Sequence, residues 1–274
     1  MLAASCGFDF SILVFRHTVK TRLDKLLVER GLTPSRERAQ ALILAGKVLV
    51  NEQKIEKAGA AIDSGSTLRL LGEDLRYVSR GGLKLEKALE HWRIDLQGKV
   101  CLDIGASTGG FSDCMLQHGA ARVIAVDTGY GQMDFGLRNH PGIRLLEKTN
   151  ARYLDSGDIS ENVDFIAMDV SFISATLVLP AVIRAVSSCA SATLNLPRQI
   201  VVLVKPQFEA GRELVGKGGI VRDESAQRAA VAKVEAALLN LGCVRAEWIE
   251  SPILGGEGNR EFLLHAEFFP PAIR

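Results

Sequence analysis

The chain has 274 residues, of which 47% are hydrophobic and 24% are charged, and its formal net charge is +1. Such a composition is typical of a globular protein that can bury a sizeable core in one large or two ordinary domains. No apolar run reaches the ~18–20 residues of a membrane helix. The five cysteines form no C-x-x-C pair, which argues against a zinc site or a disulfide framework and fits a reducing, cytoplasmic setting.

The first 20 residues are mildly apolar. They lack a basic leading region, and Asp9 interrupts their apolar core. A secretory signal has a basic leading region followed by an unbroken apolar core. We therefore expect residues 1–20 to form a poorly ordered extension rather than a signal peptide.

Two short helices and a small hairpin are predicted for residues 21–75. Leucines at helical spacing predict a first helix that ends at Gly31, and Ser35 is placed to cap a second helix that ends at Gly46. Short apolar runs then predict strands at 47–50, 54–55, 61–62 and 67–70. Together these elements predict a compact α+β unit.

Positive charge is concentrated in this part of the chain. Residues 1–80 carry 13 Lys and Arg against 9 Asp and Glu, whereas the remaining 194 residues carry 20 against 23. Basic side chains on a small rigid unit attract phosphate through charge and counterion release, although a charge run is more often a solvated helix face. The candidate RNA-binding residues are Arg22, Lys25, Arg36, Arg38 and Lys47.

The order of residues in this unit resembles the alpha-L RNA-binding module. The matching stretches are RLDKLLVERGL at 22–32, SRERAQALI at 35–43 and GKVLVN at 46–51. A small-subunit ribosomal protein, tyrosyl-tRNA synthetases and several pseudouridine synthases share the module. The resemblance implies docking on structured RNA through its shape and backbone rather than through base reading.

We predict that residues 76–82 form a linker and that residues 83–270 form a larger α/β domain. Its helices are predicted at 83–89, 110–118, 173–186 and 223–241. Seven apolar runs predict strands at 100–103, 123–127, 143–146, 165–169, 200–205, 244–249 and 262–266. The last two runs follow each other without a crossover helix, so the sheet is expected to be mostly parallel with an antiparallel ending.

The stretch from Val100 to Phe111 predicts a strand, a glycine-rich turn and a helix. Asp103 ends the apolar run and glycines follow it. A dinucleotide fingerprint needs G-x-G-x-x-G, and its second glycine would fall at Ser107, so that pattern fails. An acid followed by Gly105, Gly109 and Gly110 resembles the first motif of class I methyltransferases, which bind S-adenosylmethionine.

A second acid, Asp127, ends the next apolar run. It lies about 20 residues past the turn, where a carboxylate can accept hydrogen bonds from ribose hydroxyls. An ordinary βαβ turn with an acid at a strand end is the alternative interpretation of both acids.

Four charged residues are predicted to meet beside this turn. Asp169 and Lys205 each follow an apolar strand, so both are expected at the carboxyl edge of the sheet, where ligands bind. Glu261 precedes the last strand, whose beginning lies at the same edge if that strand is antiparallel. Lys84 lies in the first turn of a helix that should run opposite to the first strand, which brings it to this edge too.

These charges suit the methylation of a hydroxyl group. The proton of a weak acid has to be removed, and a lysine can do this as a general base when it is neutral. We assign Lys205 as the base and expect Lys84 to favour loss of its proton through like-charge repulsion. Asp169 and Glu261 would orient the two cations. An ion pair at a sheet edge is the alternative for any one of them, and their joint placement favours a catalytic site.

Six stretches resemble the TlyA family of FtsJ-like ribosomal RNA 2′-O-methyltransferases, whose members are often labelled haemolysins. They are SRGGLKL at 79–85, DIGASTGGF at 103–111, MDVSFI at 168–173, VKPQFE at 204–209, GKGGIVRD at 216–223 and GNREF at 258–262. The resemblance implies a class I, Rossmann-like methyltransferase fold, S-adenosylmethionine as the donor and cytidine ribose hydroxyls of ribosomal RNA or ribosomal subunits as the acceptors.

The resemblance also implies roles for particular residues. The catalytic tetrad would be Lys84, Asp169, Lys205 and Glu261. The cofactor contacts would be Asp103, Gly105, Ser107, Gly109, Asp127 and Asn150. No metal ion is expected. The resemblance gives residues 216–219 no role; we interpret them as a flexible loop over the site and expect that Lys217 can touch substrate phosphate.

Two other functions stay open from the sequence. The family label suggests a membrane-active haemolysin, which the lack of a membrane span and of a long amphipathic basic helix disfavours. A ribosome assembly factor that binds RNA without catalysis is the other possibility, and the intact set of four charged residues disfavours it.

Overall fold

The computed structural model describes residues 20–33, 35–71, 76–189, 197–255 and 258–269. Apart from Lys20, the predicted N-terminal extension lies outside the described residues. The chain divides into two compact units, residues 1–74 and residues 75–274.

The first unit contains two helices and short antiparallel strands. Its elements are β1 (Lys20–Arg22), α1 (Leu23–Glu29), α2 (Arg36–Leu44), β2 (Val48–Val50), β3 (Gln53–Lys54), β4 (Ala61–Asp63) and β5 (Leu68–Leu70). β1 pairs with β4, and β2 lies between β3 and β5. The Ser35 side chain caps α2 by accepting from the Arg38 N–H at 3.2 Å, as its position predicts. The apolar faces of both helices pack on β2 to form the core of the unit.

The second unit is a larger α/β structure. Its strands are β6 (Val100–Ile104), β7 (Arg122–Val126), β8 (Ile143–Leu146), β9 (Phe165–Met168), β10 (Arg198–Val204), β11 (Val244–Glu250) and β12 (Phe262–Phe268). Its helices are α3 (Gly81–His91), α4 (Gly110–Gln117), α5 (Phe135–Arg138), α6 (Ser156–Ile159), α7 (Ala175–Ser188), α8 (Pro206–Glu209) and α9 (Glu224–Asn240). Short 3₁₀ turns cover Ala151–Tyr153 and Arg212–Leu214.

The seven strands form one sheet in the order β11-β12-β10-β9-β6-β7-β8. β12 runs antiparallel to both of its neighbours, and the other pairs are parallel. The predicted fold class and antiparallel ending are thus confirmed. The chain runs from β6 through β7 to β8 and then returns to β9 on the other side of β6. The strand order therefore reverses between β6 and β9, at the kind of crevice where open α/β sheets bind ligands.

The central strands are buried on both faces, which is why their sequences are continuous apolar runs. One layer of core lies under α7 and α9 and the other under α3 and α4. Among the described residues, every helix is too short or too polar to cross a lipid bilayer.

The segment predicted as a linker, residues 76–82, packs as part of the second unit instead. Tyr77 is only 1% exposed and belongs to the core between α3 and the sheet. The backbone N–H of Val78 donates to the Asp113 carboxylate at 2.8 Å. Gly82 lies against the Tyr77 ring, where a Cβ would clash. The polar and glycine-rich composition of the segment reflects this close packing and the start of α3 rather than an exposed connection.

Candidate active site

The glycine turn after β6 lies against the backbone that follows β9. Gly105 has a left-handed φ of 87°, and a Cβ there would clash with the Asp169 carbonyl oxygen. The Asp169 N–H in turn donates to the Ile104 carbonyl at 2.8 Å. Glycine is therefore required at position 105 both by backbone conformation and by the approach of a neighbouring strand end.

Asp103 and Gly109 lie beneath the turn rather than on its open side. Asp103 is fully buried, its Oδ2 accepts from the Ser112 hydroxyl at 2.6 Å, and its Oδ1 has no partner among the described residues. Burial raises the pKa of Asp103 to about 7, against the hydrogen bond from Ser112, which lowers it. A carboxyl group with that pKa tolerates burial without a cation because protonation neutralises it. Gly109, with φ 93°, precedes α4 and packs against Leu137.

A cavity of about 290 Å³ opens beside the turn, and we call it the nucleoside cavity. The predicted cofactor residues Gly105, Ser107, Asp127 and Asn150 line it, together with the apolar side chains Val126, Ala151, Ile173 and Val178. The Asp127 carboxylate accepts from the backbone N–H groups of Ser107 at 2.7 Å and Gly129 at 2.6 Å, which fixes its orientation. An acid, an amide and an apolar wall suit a nucleoside, because a ribose offers hydroxyl donors and a base offers a flat apolar face.

A second cavity of about 250 Å³, the glycine-turn cavity, shares Gly105, Ser107 and Asp169 with the first. It extends to Arg80 and Lys84. The Arg80 side chain is exposed and its guanidinium group has no polar partner among the described residues. The two cavities together can hold a ligand that combines a nucleoside with an anionic or zwitterionic tail, which is the chemistry of S-adenosylmethionine.

A third cavity of about 400 Å³ adjoins the nucleoside cavity, and we call it the lysine cavity. It shares Ser171 and Phe172 with the nucleoside cavity. Its lining is Ser171, Phe172, Lys205, Gln207, Phe208, Val215, Gly219, Asn259 and Glu261. The structure therefore places two aromatic rings and two of the predicted catalytic residues in one pocket.

The four predicted catalytic residues lie at the carboxyl edge as two charged pairs. Lys84 Nζ lies 2.5 Å from Glu261 Oε2, and Lys205 Nζ lies 2.5 Å from Asp169 Oδ1. Lys84, Lys205 and Glu261 are buried, and Asp169 is half-buried. Buried charges are strongly destabilising unless they are paired, so this arrangement is a built site rather than a chance cluster.

Each member of the two pairs comes from a different element. Lys84 lies in the first turn of α3, Asp169 follows β9, Lys205 follows β10 and Glu261 directly precedes β12. The antiparallel direction of β12 brings Glu261 to the edge that the parallel strands β9 and β10 reach with their carboxyl ends.

Two residues at this site are not anticipated from the sequence. Lys205 Nζ donates to the Ser171 hydroxyl at 2.7 Å, so Ser171 is a second partner of the proposed base. Phe172 is 92% exposed, has a left-handed φ of 65° and lies 5.4 Å from the Phe208 ring. The sequence indicates them only by their position: a hydroxyl and an aromatic side chain stand two and three residues after Asp169.

In the first unit a buried acid holds two of the candidate RNA-binding arginines. Asp24 is fully buried and accepts from Arg22 at 2.9 and 3.1 Å, from Arg36 at 3.0 Å and from Gln40 at 2.9 Å. These hydrogen bonds, chiefly that from Arg22, hold the pKa of Asp24 well below its usual range. About half of each arginine side chain stays exposed. Both guanidinium groups are thus fixed in place with donors left for an anion.

The other candidate RNA-binding residues lie on α1, on α2 and just before β2. Lys25 forms a surface pair with Glu29 at 3.4 Å along α1. Arg38 and Lys47 are half-buried.

Comparison with known proteins assigns a family to each unit. The FtsJ-like methyltransferase profile matches residues 77–268, and the S4 domain profile matches residues 21–68. The chain is 43% identical over 246 residues to a 16S/23S rRNA (cytidine-2′-O)-methyltransferase of Mycobacterium tuberculosis, and the match covers 89% of each chain. It is 39% identical over 245 residues to the Hemolysin A of Brachyspira hyodysenteriae, which covers 89% of this chain and 98% of that one.

The solved structure of a candidate hemolysin from Streptococcus thermophilus has the same fold. It is 44% identical to this chain, with a TM-score of 0.67, and the match covers 92% of this chain and 89% of that one. The same architecture therefore occurs in relatives named for methylation and in relatives named for haemolysis.

Gly105→Ala should destabilise the protein more than Gly98→Ala. Both positions have a left-handed φ, 87° and 71°, so either substitution introduces strain of about 1–2 kcal/mol. A Cβ at position 105 would also clash with the Asp169 carbonyl, whereas position 98 has open space around it. Overpacking adds roughly 1–3 kcal/mol. Urea denaturation measures the difference, and an equal loss of unfolding free energy in both variants would contradict the close approach as a constraint.

Proposed function

The chain belongs to the FtsJ-like methyltransferase family and carries an S4 domain, and on this premise we propose that it transfers a methyl group from S-adenosylmethionine to a cytidine ribose 2′-hydroxyl of ribosomal RNA. The observation that carries the proposal is the Lys205–Asp169 pair between the nucleoside cavity and the lysine cavity. The relative from Mycobacterium tuberculosis is named as an rRNA (cytidine-2′-O)-methyltransferase, and this name supports the choice of acceptor. We propose that it acts in the cytoplasm, on ribosomal subunits or their RNA.

The donor and the acceptor would occupy separate cavities that meet at Ser171 and Phe172. Asp127 and Asn150 would hold the ribose and base of S-adenosylmethionine in the nucleoside cavity, and Arg80 would face its carboxylate end. When bound, this cofactor supplies a methyl carbon on a positively charged sulfur, which leaves with the bonding electrons. The lysine cavity would receive the target nucleotide. Holding both reactants in line contributes most of the rate enhancement in such a transfer.

Lys205 would act as the general base. Its Nζ contacts the Asp169 carboxylate and donates to the Ser171 hydroxyl. A neutral amine has two N–H donors and one lone pair; Ser171 would take one donor, and the adjacent Asp169 carboxylate would hold Nζ in place by charge, which leaves the lone pair for the substrate. As the ribose oxygen forms its bond to the methyl carbon, the hydroxyl proton passes to Nζ of Lys205, which becomes the ammonium ion. The resulting charge is stabilised by Asp169.

Lys84 and Glu261 would hold the site in the geometry that this step needs. Their ion pair ties the first turn of α3 to the start of β12, so both walls of the site are fixed relative to Lys205. Because Glu261 lines the lysine cavity and Lys84 lines the glycine-turn cavity, the pair reaches both reactants.

Phe172 would hold the target base outside its helix. An exposed aromatic ring with a left-handed backbone is strained, and such strain is found mainly at functional sites. Sequence-specific RNA recognition acts on unstacked bases, which stack on aromatic side chains. The lysine cavity, with Phe172 and Phe208 in its lining, has the size and the aromatic surface for one nucleotide.

The S4 domain would supply affinity for structured RNA. Arg22 and Arg36, fixed by Asp24, present exposed guanidinium donors that match a phosphate. Phosphate contacts of this kind set the position of a protein on RNA without reading its sequence.

Lys205→Met should abolish methyl transfer while leaving cofactor binding nearly intact. Methionine keeps most of the volume of the side chain and removes its basic nitrogen, and loss of a general base costs roughly 10²–10⁴-fold in rate. Single-turnover transfer of labelled methyl onto ribosomal subunits measures the rate, and calorimetry measures cofactor affinity. The matched control is Lys99→Met, just before β6 at the opposite edge of the sheet. Full activity of the Lys205 variant would remove it as the base.

The double variant Arg22→Ala, Arg36→Ala should raise KM for ribosomal subunits and leave the cofactor Kd unchanged. Each lost phosphate contact should also reduce the salt dependence of binding by about one unit in log–log slope. Lys54→Ala, which removes an exposed lysine paired with Glu56, is the control. Thermal unfolding of each variant reports whether the unit stays folded when Asp24 keeps only Gln40 as a partner. An unchanged KM and salt slope in a folded double variant would refute the docking role.

A further inference from the structure

The segment between α8 and α9 contains a tight glycine loop. The Gly216 N–H donates to the Ile220 carbonyl at 3.0 Å, and the Gly219 N–H donates to the Gly216 carbonyl at 3.1 Å. Gly218 and Gly219 have left-handed φ values of 81° and 74°. Two successive residues in this conformation close the chain into a hairpin, so residues 216–220 have a defined shape.

Buried side chains fix this loop to the active site. Asn259 is 2% exposed; its Oδ1 accepts from the Val221 N–H at 3.1 Å and its Nδ2 donates to the Gly219 carbonyl at 2.9 Å. Gln227, also buried, donates to the Val221 carbonyl at 2.7 Å. Because Asn259 stands two residues before Glu261, the same stretch of chain sets both the loop and the tetrad. This replaces the flexible loop predicted from the sequence.

Basic side chains in and beside the loop form no ion pair within the described part of the chain. The side chains of Lys217 in the loop and of Arg212 and Arg222 on either side of it are exposed and have no polar partner there, and the nearest carboxylates in the sequence are Glu213 and Asp223. The backbone N–H groups of Lys217 and Gly218 are also unpaired within the described residues. By contrast, Arg260 nearby is held by Glu224 and Glu250 at 3.2 Å each.

The position of the loop indicates what this charge meets. Val215 and Gly219 line the lysine cavity together with Lys205 and Phe172. A nucleotide whose base and ribose occupy that cavity has its own phosphate groups at the rim. Successive backbone N–H groups in a left-handed turn form an anion-binding concavity, and a lysine adds a compact positive charge.

We propose that residues 216–221 form a phosphate-binding loop for the RNA backbone at the target nucleotide, with Lys217 as its main contact and Asn259 as the residue that positions it. The ligand class is a backbone phosphate of an unstacked RNA strand. This inference rests on the proposed function, because it places the target nucleotide in the lysine cavity. The loop would hold the phosphate so that the neighbouring 2′-hydroxyl lies at Lys205.

Lys217→Ala in the full chain tests the contact. We expect KM for ribosomal subunits to rise about 3–10-fold, and the log–log salt slope of subunit binding to fall by about 0.7–0.9, the value for one phosphate contact. Lys217→Arg should restore most of both, and the calorimetric Kd of S-adenosylmethionine should not change. Arg184→Ala, an exposed arginine near the far end of α7, is the control. A Lys217→Ala variant that matches the control, or one that weakens cofactor binding instead, would overturn the proposal.

Asn259→Ala tests the positioning role. It leaves Lys217 in place but removes both hydrogen bonds to the loop, so KM should rise although the charge is retained. Lys217→Ala should then cost less in the Asn259→Ala background than in the wild type. Equal effects of Lys217→Ala in both backgrounds would contradict the coupling. If the wild-type protein methylates no RNA at all, the proposed function fails. The salt slope of subunit binding, measured by filter binding for the wild type and Lys217→Ala, still decides whether the loop contacts phosphate.

Discussion

The second unit is organised around two buried ion pairs at one edge of its sheet. Lys84 and Glu261 are 177 positions apart in the sequence, yet their charged atoms lie 2.5 Å apart with side chains 11% and 2% exposed. Removing either partner of such a pair leaves an uncompensated buried charge, which costs about 3–5 kcal/mol. The antiparallel direction of β12 is what allows the pair to form. The ion pair at the site therefore depends on the antiparallel direction of β12 in the sheet.

The reversal of strand order between β6 and β9 gives this edge its function. Gly105 and Asp169 meet there, and both line the nucleoside cavity and the glycine-turn cavity. Ser171 and Phe172, a few residues further along, connect the nucleoside cavity with the lysine cavity. A short stretch of backbone after β9 thus separates the cavity where we propose the donor binds from the cavity where we propose the acceptor binds. Lys205, at the end of the adjacent β10, lies beside that boundary.

Much of this arrangement is predictable from the sequence. Apolar runs locate the strands, and whether a residue precedes or follows its strand determines which edge of the sheet it reaches. The seven apolar runs predict the seven strands, and the charged residues that flank four elements predict the tetrad. What the sequence does not predict is which partner each side chain finds. Asp103 lies near the end of β6, which runs one residue further than predicted, and it faces Ser112 under the turn. Tyr77 is expected in a linker, but in the structure its ring packs beside Gly82. The roles of Ser171 and Asn259 depend on contacts across 34 and 38 positions.

The most direct test of the account is methyl transfer from radiolabelled S-adenosylmethionine to purified ribosomal subunits, to free ribosomal RNA and to a control without RNA. Nuclease digestion then identifies the labelled nucleotide. The account predicts label on the 2′-oxygen of a cytidine. Label on a base, or no label on any RNA by protein that binds the cofactor in calorimetry, would contradict the assignment of Lys205 and its partners to a ribose hydroxyl.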